Sequence, residues 1–176
     1  MKTIFESDNI LFTEVSERLV RDYLAMVNDV ENVGWPIGHK TEQYTEEQEP
    51  RWVRKKREEN AVVFSMIEKR SGAFIGNIEL MDVRDGQGEL GIAITAGKQD
   101  RGFGTEAITA LAAYGADRLG LRRIVLRAYP DNARAIHVYE KCGFREYDRT
   151  EETVFMELRR EGVDFRANRD GRHPHE

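Results

Sequence analysis

Two glycines stand between an apolar segment and an alanine-rich one, in the stretch Gln99–Thr105 (Gln-Asp-Arg-Gly-Phe-Gly-Thr). A strand, a glycine-bearing loop and a helix start often bind an anion, because backbone N–H groups and the positive end of the helix dipole share one concavity. Gly102 and Gly104 lack a Cβ, so a phosphate can approach the backbone closely. The stretch therefore predicts either a phosphate-binding loop or a plain turn before a helix.

Two known nucleotide-binding motifs compete for this loop. The Walker P-loop is excluded, because no Gly-Lys-Ser/Thr follows at the required spacing. The run Gly102–Ala107 does satisfy the Gly-x-Gly-x-x-Ala of a dinucleotide fingerprint. Several polar residues separate it from the preceding strand, however, and too few residues follow to supply the usual parallel strands. A nicotinamide-dependent oxidoreductase stays as an alternative.

A second motif follows one predicted strand later, at Asn132–Phe144 (Asn-Ala-Arg-Ala-Ile-His-Val-Tyr-Glu-Lys-Cys-Gly-Phe). Asn132 predicts a helix N-cap, and Gly143 predicts the end of that helix. Tyr139 lies near the helix face that carries Cys142. The pattern thus places one phenol on an otherwise small and apolar surface.

Together the two motifs resemble those of the GNAT superfamily of acyl-CoA-dependent N-acetyltransferases. The resemblance extends from about Ser71 to Leu158 and is weaker over Ile4–Asn60. Within the superfamily, the chain is most similar to the branch of ribosomal-protein N-terminal and spermidine acetyltransferases. The resemblance implies acetyl-CoA as the acyl donor and a primary amine as the acceptor, whether a protein N-terminus, a polyamine or a small amino compound. A non-catalytic acyl-CoA-binding module is the alternative. The matching positions are Gln99, Gly102, Gly104, Asn132, Ala135, Tyr139, Lys141, Gly143 and Phe144.

The resemblance also implies roles for individual residues. The loop would cradle the pyrophosphate of coenzyme A, and the strand Leu90–Thr95 would splay from the next strand and pair with the pantetheine amides. Tyr139 would protonate the leaving thiolate; its ordinary pKa of about 10 lies not far above the ~8.5 of a thiol, so a modest shift would suffice. The implied cofactor-binding residues are Ile92, Ile94, Gln99, Arg101, Gly102, Phe103, Gly104, Thr105 and Asn132, with Lys98 and Arg101 as partners of the phosphates.

The general base is open between two carboxylates. Glu79 and Glu89 lie on the strands that flank the expected gap, although the sequence favours a solvated strand carboxylate over a catalytic residue for each. Cys142 is expected to be a small buried hydrophobe, since no His/Asp pair accompanies it. No metal site is expected, because His173 and His175, in the tail, have no further ligands at metal spacing. His137 shares the helix of Tyr139 and is expected to be a surface residue.

The acceptor site is expected between residues 27 and 45 and near the loop 82–87. Trp35 and Tyr44 are predicted to line it. Aromatic and acidic side chains suit a cationic amine, although ordinary surface charges around a packed tryptophan would give the same pattern. The acidic residues are Asp29, Glu31, Glu42, Glu46 and Glu47.

Hydrophobic periodicity and turn residues predict the elements that hold these motifs. The order indicates an α/β (α+β) domain over residues 1–160 and a polar, frayed tail over 161–176. The resemblance implies a mixed, mostly antiparallel sheet of about seven strands flanked by about four helices. The predicted strands are 4–13, 61–69, 73–83, 88–95, 122–129 and a terminal pair within 144–160; the helices are 16–28, 46–60, 105–119 and 132–142, and 29–45 is a loop or broken helix.

Composition and net charge narrow the partners and the cellular location that the sequence allows. The net charge of −5 over 176 residues disfavours nucleic acid and anionic membrane as general partners. The longest apolar runs are far shorter than a membrane span, and the N-terminus lacks the apolar core of a secretory signal. The single cysteine fits a reducing compartment, so the cytoplasm is expected. The resemblance also makes a homodimer an expectation.

Overall fold

The computed structural model describes residues 1–160, and the expectation for 161–176 lies outside them. Eight strands and five α-helices follow the predicted order. The strands are β1 Thr3–Glu6, β2 Ile10–Thr13, β3 Val62–Glu68, β4 Phe74–Arg84, β5 Gln87–Ile94, β6 Arg123–Ala128, β7 Arg145–Arg149 and β8 Val154–Arg159. The helices are α1 Val20–Val27, α2 Trp35–Gly38, α3 Gln48–Glu58, α4 Phe103–Leu119 and α5 Ala133–Lys141.

All eight strands belong to one sheet, in the order β1-β2-β3-β4-β5-β6-β8-β7. Neighbours pair antiparallel except for β5 and β6, which are parallel. The mixed, mostly antiparallel α/β (α+β) architecture is therefore confirmed. Helices cover both faces, since α1 and α3 pack over one apolar cluster and α4 and α5 over another.

The predicted first strand, residues 4–13, is wrong as a single element. It forms the hairpin β1–β2, in which Ser7 N–H donates to the Ile10 carbonyl. The polar residues Ser7 and Asn9 both donate to the Glu106 carboxylate of α4, which holds the turn against that helix. This division raises the strand count to eight, and the short α2 within the broken-helix region raises the helix count to five.

Helix ends and turns follow the local chemistry of the sequence. Ser16 Oγ accepts from Arg18 N–H where the first helical segment begins, and Asn132 Oδ1 accepts from Ala135 N–H at the start of α5. Asp85 and Gly86 both have positive φ in the two-residue turn between β4 and β5, as a type I′ hairpin requires. Within residues 1–160, no helix combines the length and the apolarity that a membrane span needs.

β5 crosses very close to β4 at Gly76. A Cβ at this position would lie 1.9 Å from the Ala93 carbonyl oxygen and 2.9 Å from Ile94 Cα. These are backbone atoms, so the contact cannot be relieved by moving a side chain. Only glycine permits this approach, and it occurs at the end of the pairing between β4 and β5, where Gly76 lies opposite Ile94.

We expect Gly76→Ala to destabilise the protein, because the added methyl must displace the backbone of β5. Overpacking of this kind costs on the order of 1–3 kcal/mol, which lowers Tm by roughly 2–10 °C for a chain of this size. Calorimetry measures the shift. Gly97→Ala is the control, since a Cβ there meets nothing within 4 Å. Equal Tm values for the two variants would contradict the close approach.

Candidate active site

The sheet opens between β5 and β6. These strands pair from Gln87 opposite Arg123 to Glu89 opposite Val125 and no further, within residues 1–160. β5 nevertheless stays paired with β4 as far as Ile94. A cleft therefore separates β5 from β6 beyond Glu89, which is the splay that the resemblance implies.

The free edge of β5 directs the backbone of Ile92 and Ile94 into this cleft. Thr95 N–H donates to the Ile75 carbonyl of the β4 segment at 2.9 Å, so odd-numbered residues face β4 and even-numbered ones face away. Gln99 Nε2 donates to the Ile94 carbonyl at 2.9 Å. Ile92 thus offers its N–H and carbonyl to a ligand, and Ile94 its N–H.

The glycine loop directs further N–H groups into the same cleft. Asp100 and Gly102 have left-handed backbone, with φ of 57° and 83°, and α4 begins directly afterwards. Glu106 N–H donates to the Gly102 carbonyl, so the N–H groups of residues 103–105 precede the first helical bond. A Cβ at Gly102 would meet nothing within 4 Å, and this side of the loop is open. The loop has the properties of an anion site.

One carboxylate holds both cations of the loop. Lys98 Nζ lies 2.7 Å from one Glu68 oxygen, and an Arg101 terminal nitrogen lies 3.2 Å from the other. The hydrogen bond from Lys98, with that from Ser71, lowers the pKa of Glu68. The cations are thus anchored to the end of β3. The Arg101 side chain is half exposed and keeps donors free for a ligand.

A cleft of about 140 Å³ lies between β5, the glycine loop and α5. It brings together most of the residues predicted to bind the cofactor. Two predicted side chains point elsewhere, because Arg101 reaches Glu68 and Phe103 packs in the core at 6% exposure. The predicted residues that line the cleft are Ile92, Ile94, Lys98, Gln99, Gly102, Gly104, Thr105, Asn132 and Tyr139.

Tyr139 brings a half-buried phenol to the wall of the cleft. Burial, with a smaller contribution from Cys142, raises the pKa of Tyr139 to about 12. Within the described part of the chain, its hydroxyl makes no hydrogen bond. The side chain is therefore a neutral donor that is free to meet a ligand.

The segment before α3 forms the far wall of the cleft. Asn132 Nδ2 donates to the Pro36 carbonyl at 3.0 Å, while its Oδ1 caps α5. Gln99 Nε2 donates to the Asn32 carbonyl at 3.1 Å as well as to Ile94. Asn132 and Gln99, which are both predicted to bind the cofactor, therefore hold the segment that bounds the cleft.

A second cavity, of about 410 Å³, adjoins the cleft at Ile37 and Ile92. Tyr44, one of the two aromatic residues expected at an acceptor site, lines it. Trp35 does not line it and stacks on His39, which in turn stacks on Tyr129 at a centroid distance of 3.5 Å. The loop 82–87 and the five predicted acidic residues also lie outside the lining.

Both base candidates form ion pairs. Glu79 lines the second cavity, where Lys56 Nζ lies 2.8 Å from its carboxylate. Glu89 lies on the paired part of β5, and Arg127 Nε lies 2.7 Å from its carboxylate. The structure therefore brings Glu79, but not Glu89, to the lining of these two cavities, and it supplies each with a cation.

Glu49 lines the second cavity and is a residue that the sequence interpretation missed. It is 7% exposed, and burial raises its pKa. A sequence signal was present, because Glu49 precedes Trp52 and Val53 by three and four residues, on the apolar face of the predicted helix. A carboxylate on that face is unusual, since glutamate is rarely buried without a partner.

Cysteine and histidine add no further chemistry to the site. Burial raises the pKa of the Cys142 thiol, whose Sγ lies 3.8 Å from the Thr105 carbonyl. His137 is exposed, and His173 and His175 lie outside the described residues. Within residues 1–160, no three His, Cys, Asp or Glu side chains are grouped to hold a metal ion.

Comparison with known proteins identifies relatives of this site. The family model described as an acetyltransferase (GNAT) domain matches residues 9–145. The spermidine N(1)-acetyltransferase of Vibrio cholerae serotype O1 is 30% identical over 107 residues, which are 60% of this chain and 62% of that protein. The chain thus spans about three fifths of the length of the curated relatives that it matches.

Solved structures share the fold at low identity. An acetyltransferase of the GNAT family from Bacillus anthracis has a TM-score of 0.77 at 19% identity, over 88% of this chain and 96% of that one. The spermidine N-acetyltransferase from Vibrio cholerae in complex with CoA and spermine has a TM-score of 0.73 at 20% identity, over 87% and 96%. These likenesses concern the fold.

The raised pKa of Tyr139 predicts the result of an alkaline titration. At about pH 11, between the ordinary value of 10.0 and the raised value of about 12, the folded wild type and Tyr139→Phe should show equal phenolate absorbance. In denaturant the variant should show one phenolate fewer, which is the control. The stability contributed by neutral Tyr139 is complete below pH 10 and is lost as the pH rises towards 12. A lower signal from the folded variant would contradict the shift.

Proposed function

The chain belongs to the GNAT acetyltransferase family, and on that premise we propose that it transfers an acetyl group from acetyl-CoA to a primary amine. The observation that carries the proposal is the opened edge of β5, which links the glycine loop, Tyr139 and the second cavity. The elongated cleft suits the donor, and the adjoining cavity suits the acceptor. Both substrates would be bound at once, in a ternary complex.

The chain's own groups fit the parts of coenzyme A. The N–H groups of residues 103–105 and the open side of Gly102 suit a pyrophosphate, and Lys98, which lines the same cleft, adds a cation. The outward N–H groups of Ile92 and Ile94 suit the amides of an extended pantetheine arm, which would lie along β5 as an added strand does. Asn132, the N-cap of α5, lines the same cleft.

Bound acetyl-CoA would supply an acetyl thioester, whose carbon forms a bond to the amine nitrogen as its bond to sulfur breaks. The N–H of Ile92 is suited to donate a hydrogen bond where negative charge develops on oxygen. Tyr139 is suited to donate a hydrogen bond to the leaving sulfur. Because its pKa is raised rather than lowered, complete transfer of the phenolic proton to a thiolate is uphill. Tyr139 thus stabilises the sulfur chiefly as a hydrogen-bond donor, and the proton that the attacking nitrogen loses passes through water to the thiolate.

The oxidoreductase alternative loses support from the topology. A dinucleotide fold places its glycine loop within a set of adjacent parallel strands. In residues 1–160, β5 and β6 are the single parallel pair. A non-catalytic acyl-CoA-binding module keeps the same cleft, and the activity assay below distinguishes it.

Tyr139→Phe should lower kcat by about 10²–10³-fold, because the aromatic ring stays and only the hydrogen-bond donor to the developing charge is lost. Release of free thiol from acetyl-CoA, measured over a panel of amines, checks this. The variant should keep wild-type stabilisation by acetyl-CoA in a thermal melt. Tyr147→Phe, at an exposed tyrosine, is the matched control.

Two results would count against the proposal. A Tyr139→Phe variant as active as the wild type would assign the donor role to another group. Stabilisation of the wild type by acetyl-CoA without thiol release for any amine would indicate the binding module.

A further inference from the structure

We propose that Glu49 binds and deprotonates the amine acceptor, and that this acceptor carries a single positive charge on an apolar group. Because this rests on the proposed function, the experiments below separate the two. Glu49 lies in the first turn of α3, is 7% exposed and lines the second cavity. Its carboxylate makes no hydrogen bond or ion pair with any other residue in the range 1–160.

The face of α3 that packs on the sheet carries Glu49 into the cavity. Trp52, Val53 and Lys56 follow it at three, four and seven residues, and so share that face. Val53 is fully buried in the cluster beneath α3, and Trp52 packs edge-on against Tyr23. Burial of these apolar side chains stabilises the helix position, which in turn holds the carboxylate away from water.

The other polar groups of the cavity already have partners. Glu79 is paired with Lys56, whose Nζ is 2.8 Å away. Lys40 Nζ donates to the Tyr44 hydroxyl at 3.2 Å. Tyr23 Oη lies 2.6 Å from Ser65 Oγ and accepts from Ser16 N–H. Among the described residues, Glu49 is therefore the carboxylate of this cavity without a cation.

A buried carboxylate without a partner is costly, and an ammonium group is the partner that it lacks. Burial raises the pKa of Glu49, as expected where no cation compensates for lost solvent. Tyr23 shares this environment, since the negative charge of Glu49 contributes to the raised pKa of that phenol after burial itself. An incoming ammonium would relieve both effects.

The rest of the cavity indicates what the ammonium is attached to. Its walls are mostly aliphatic, aromatic and thioether groups, so the body of the ligand should be apolar. A polyamine would bring two or more ammonium groups to one free carboxylate, leaving at least one buried charge unpaired. The apolar lining comprises Met26, Val27, Val33, Ile37, Trp52, Val63, Ile78, Met81, Ile92 and Ala93.

The same contact gives Glu49 a chemical role. A protonated amine has no lone pair with which to attack, so one proton must leave first. The proton passes from the ammonium to the Glu49 carboxylate, which leaves a neutral amine and a neutral carboxylic acid and needs no further reactant. Burial assists this step, because a carboxylate of raised pKa is the stronger proton acceptor. Glu79 differs in already having a cation, since Lys56 Nζ lies 2.8 Å from its carboxylate.

The first experiment measures kcat/KM of the wild type with acetyl-CoA and four amines. These are 2-phenylethylamine, a peptide with an N-terminal leucine, spermidine and glucosamine. We expect one of the two apolar amines to exceed spermidine by about tenfold or more, as one unpaired buried charge would cause. Preference for 2-phenylethylamine or for the peptide distinguishes a small molecule from a protein N-terminus. Preference for spermidine or glucosamine would overturn the substrate class, whereas no turnover of any amine would overturn the proposed function itself.

The second experiment compares Glu49→Gln with Glu47→Gln. Each removes one negative charge at the start of α3, but Glu47 is exposed and lies outside the cavity. Loss of a general base typically costs about 10²–10⁴-fold, so Glu49→Gln should lower kcat/KM for the preferred amine by at least about 100-fold. Glu47→Gln should stay within about twofold, as remote surface changes do. Equal activities would overturn the role of Glu49.

Stability separates this role from a structural one. Glu49→Gln removes an uncompensated buried charge, so its Tm at neutral pH should equal or exceed that of the wild type. Stabilisation by acetyl-CoA should not change, because the donor cleft does not include Glu49. Glu49→Asp keeps a carboxylate at shorter reach and should recover part of the activity. A fall in Tm together with loss of acetyl-CoA binding, or no recovery with aspartate, would overturn the proposal.

Discussion

The site depends on one constraint, which is that the backbone of β5 beyond Glu89 has a strand partner on one side only. β4 pairs with that side to its end, while β6 instead continues its pairing with β8. Backbone N–H and C=O groups that are removed from water require partners. Gln99 satisfies one of them, at Ile94, and the others remain for a ligand whose own amides are extended. Gly76 makes the arrangement possible, because a larger residue would push β5 out of this path.

Charge pairing around this edge leaves a simple electrostatic pattern. Glu79 and Glu89 each have a cation within 3 Å, and Glu68 binds both cations of the glycine loop. A paired carboxylate already has the cation that an incoming ammonium group would supply. Glu49 differs because its burial arises from the packing of its helix neighbours, without any compensating cation. Glu49 is thus the exception, and it lines the cavity that the proposed amine would enter.

Local sequence chemistry predicted the parts of the site that lie within one element. The loop 99–105 and the cap at Asn132 could be identified because a glycine with positive φ and an asparagine cap act on their own neighbours. Trp35 instead stacks on His39, and the further stacking of His39 on Tyr129 joins segments that are distant in sequence and could not be predicted locally. The ion pairs of Glu79 and Glu89 could not be predicted either, since each cation lies far from its carboxylate in sequence. Glu49, in contrast, could have been identified from the sequence, because it is a charged residue on the apolar face of a predicted helix.

The donor and acceptor sides are not independent, because residues 32–39 bound both of them. Asn32 and Pro36 accept hydrogen bonds from Gln99 and Asn132, the two side chains that flank the donor cleft. On the same segment Ile37 lines both cavities. A displacement of this segment would therefore free the donors of Gln99 and Asn132. It would also change the width of the passage at Ile37, where the two cavities meet. The π-helical turn at Val30–Gly34 is a form that recurs at functional sites. It leads into the residues that bound both the cleft and the second cavity beside the free edge of β5.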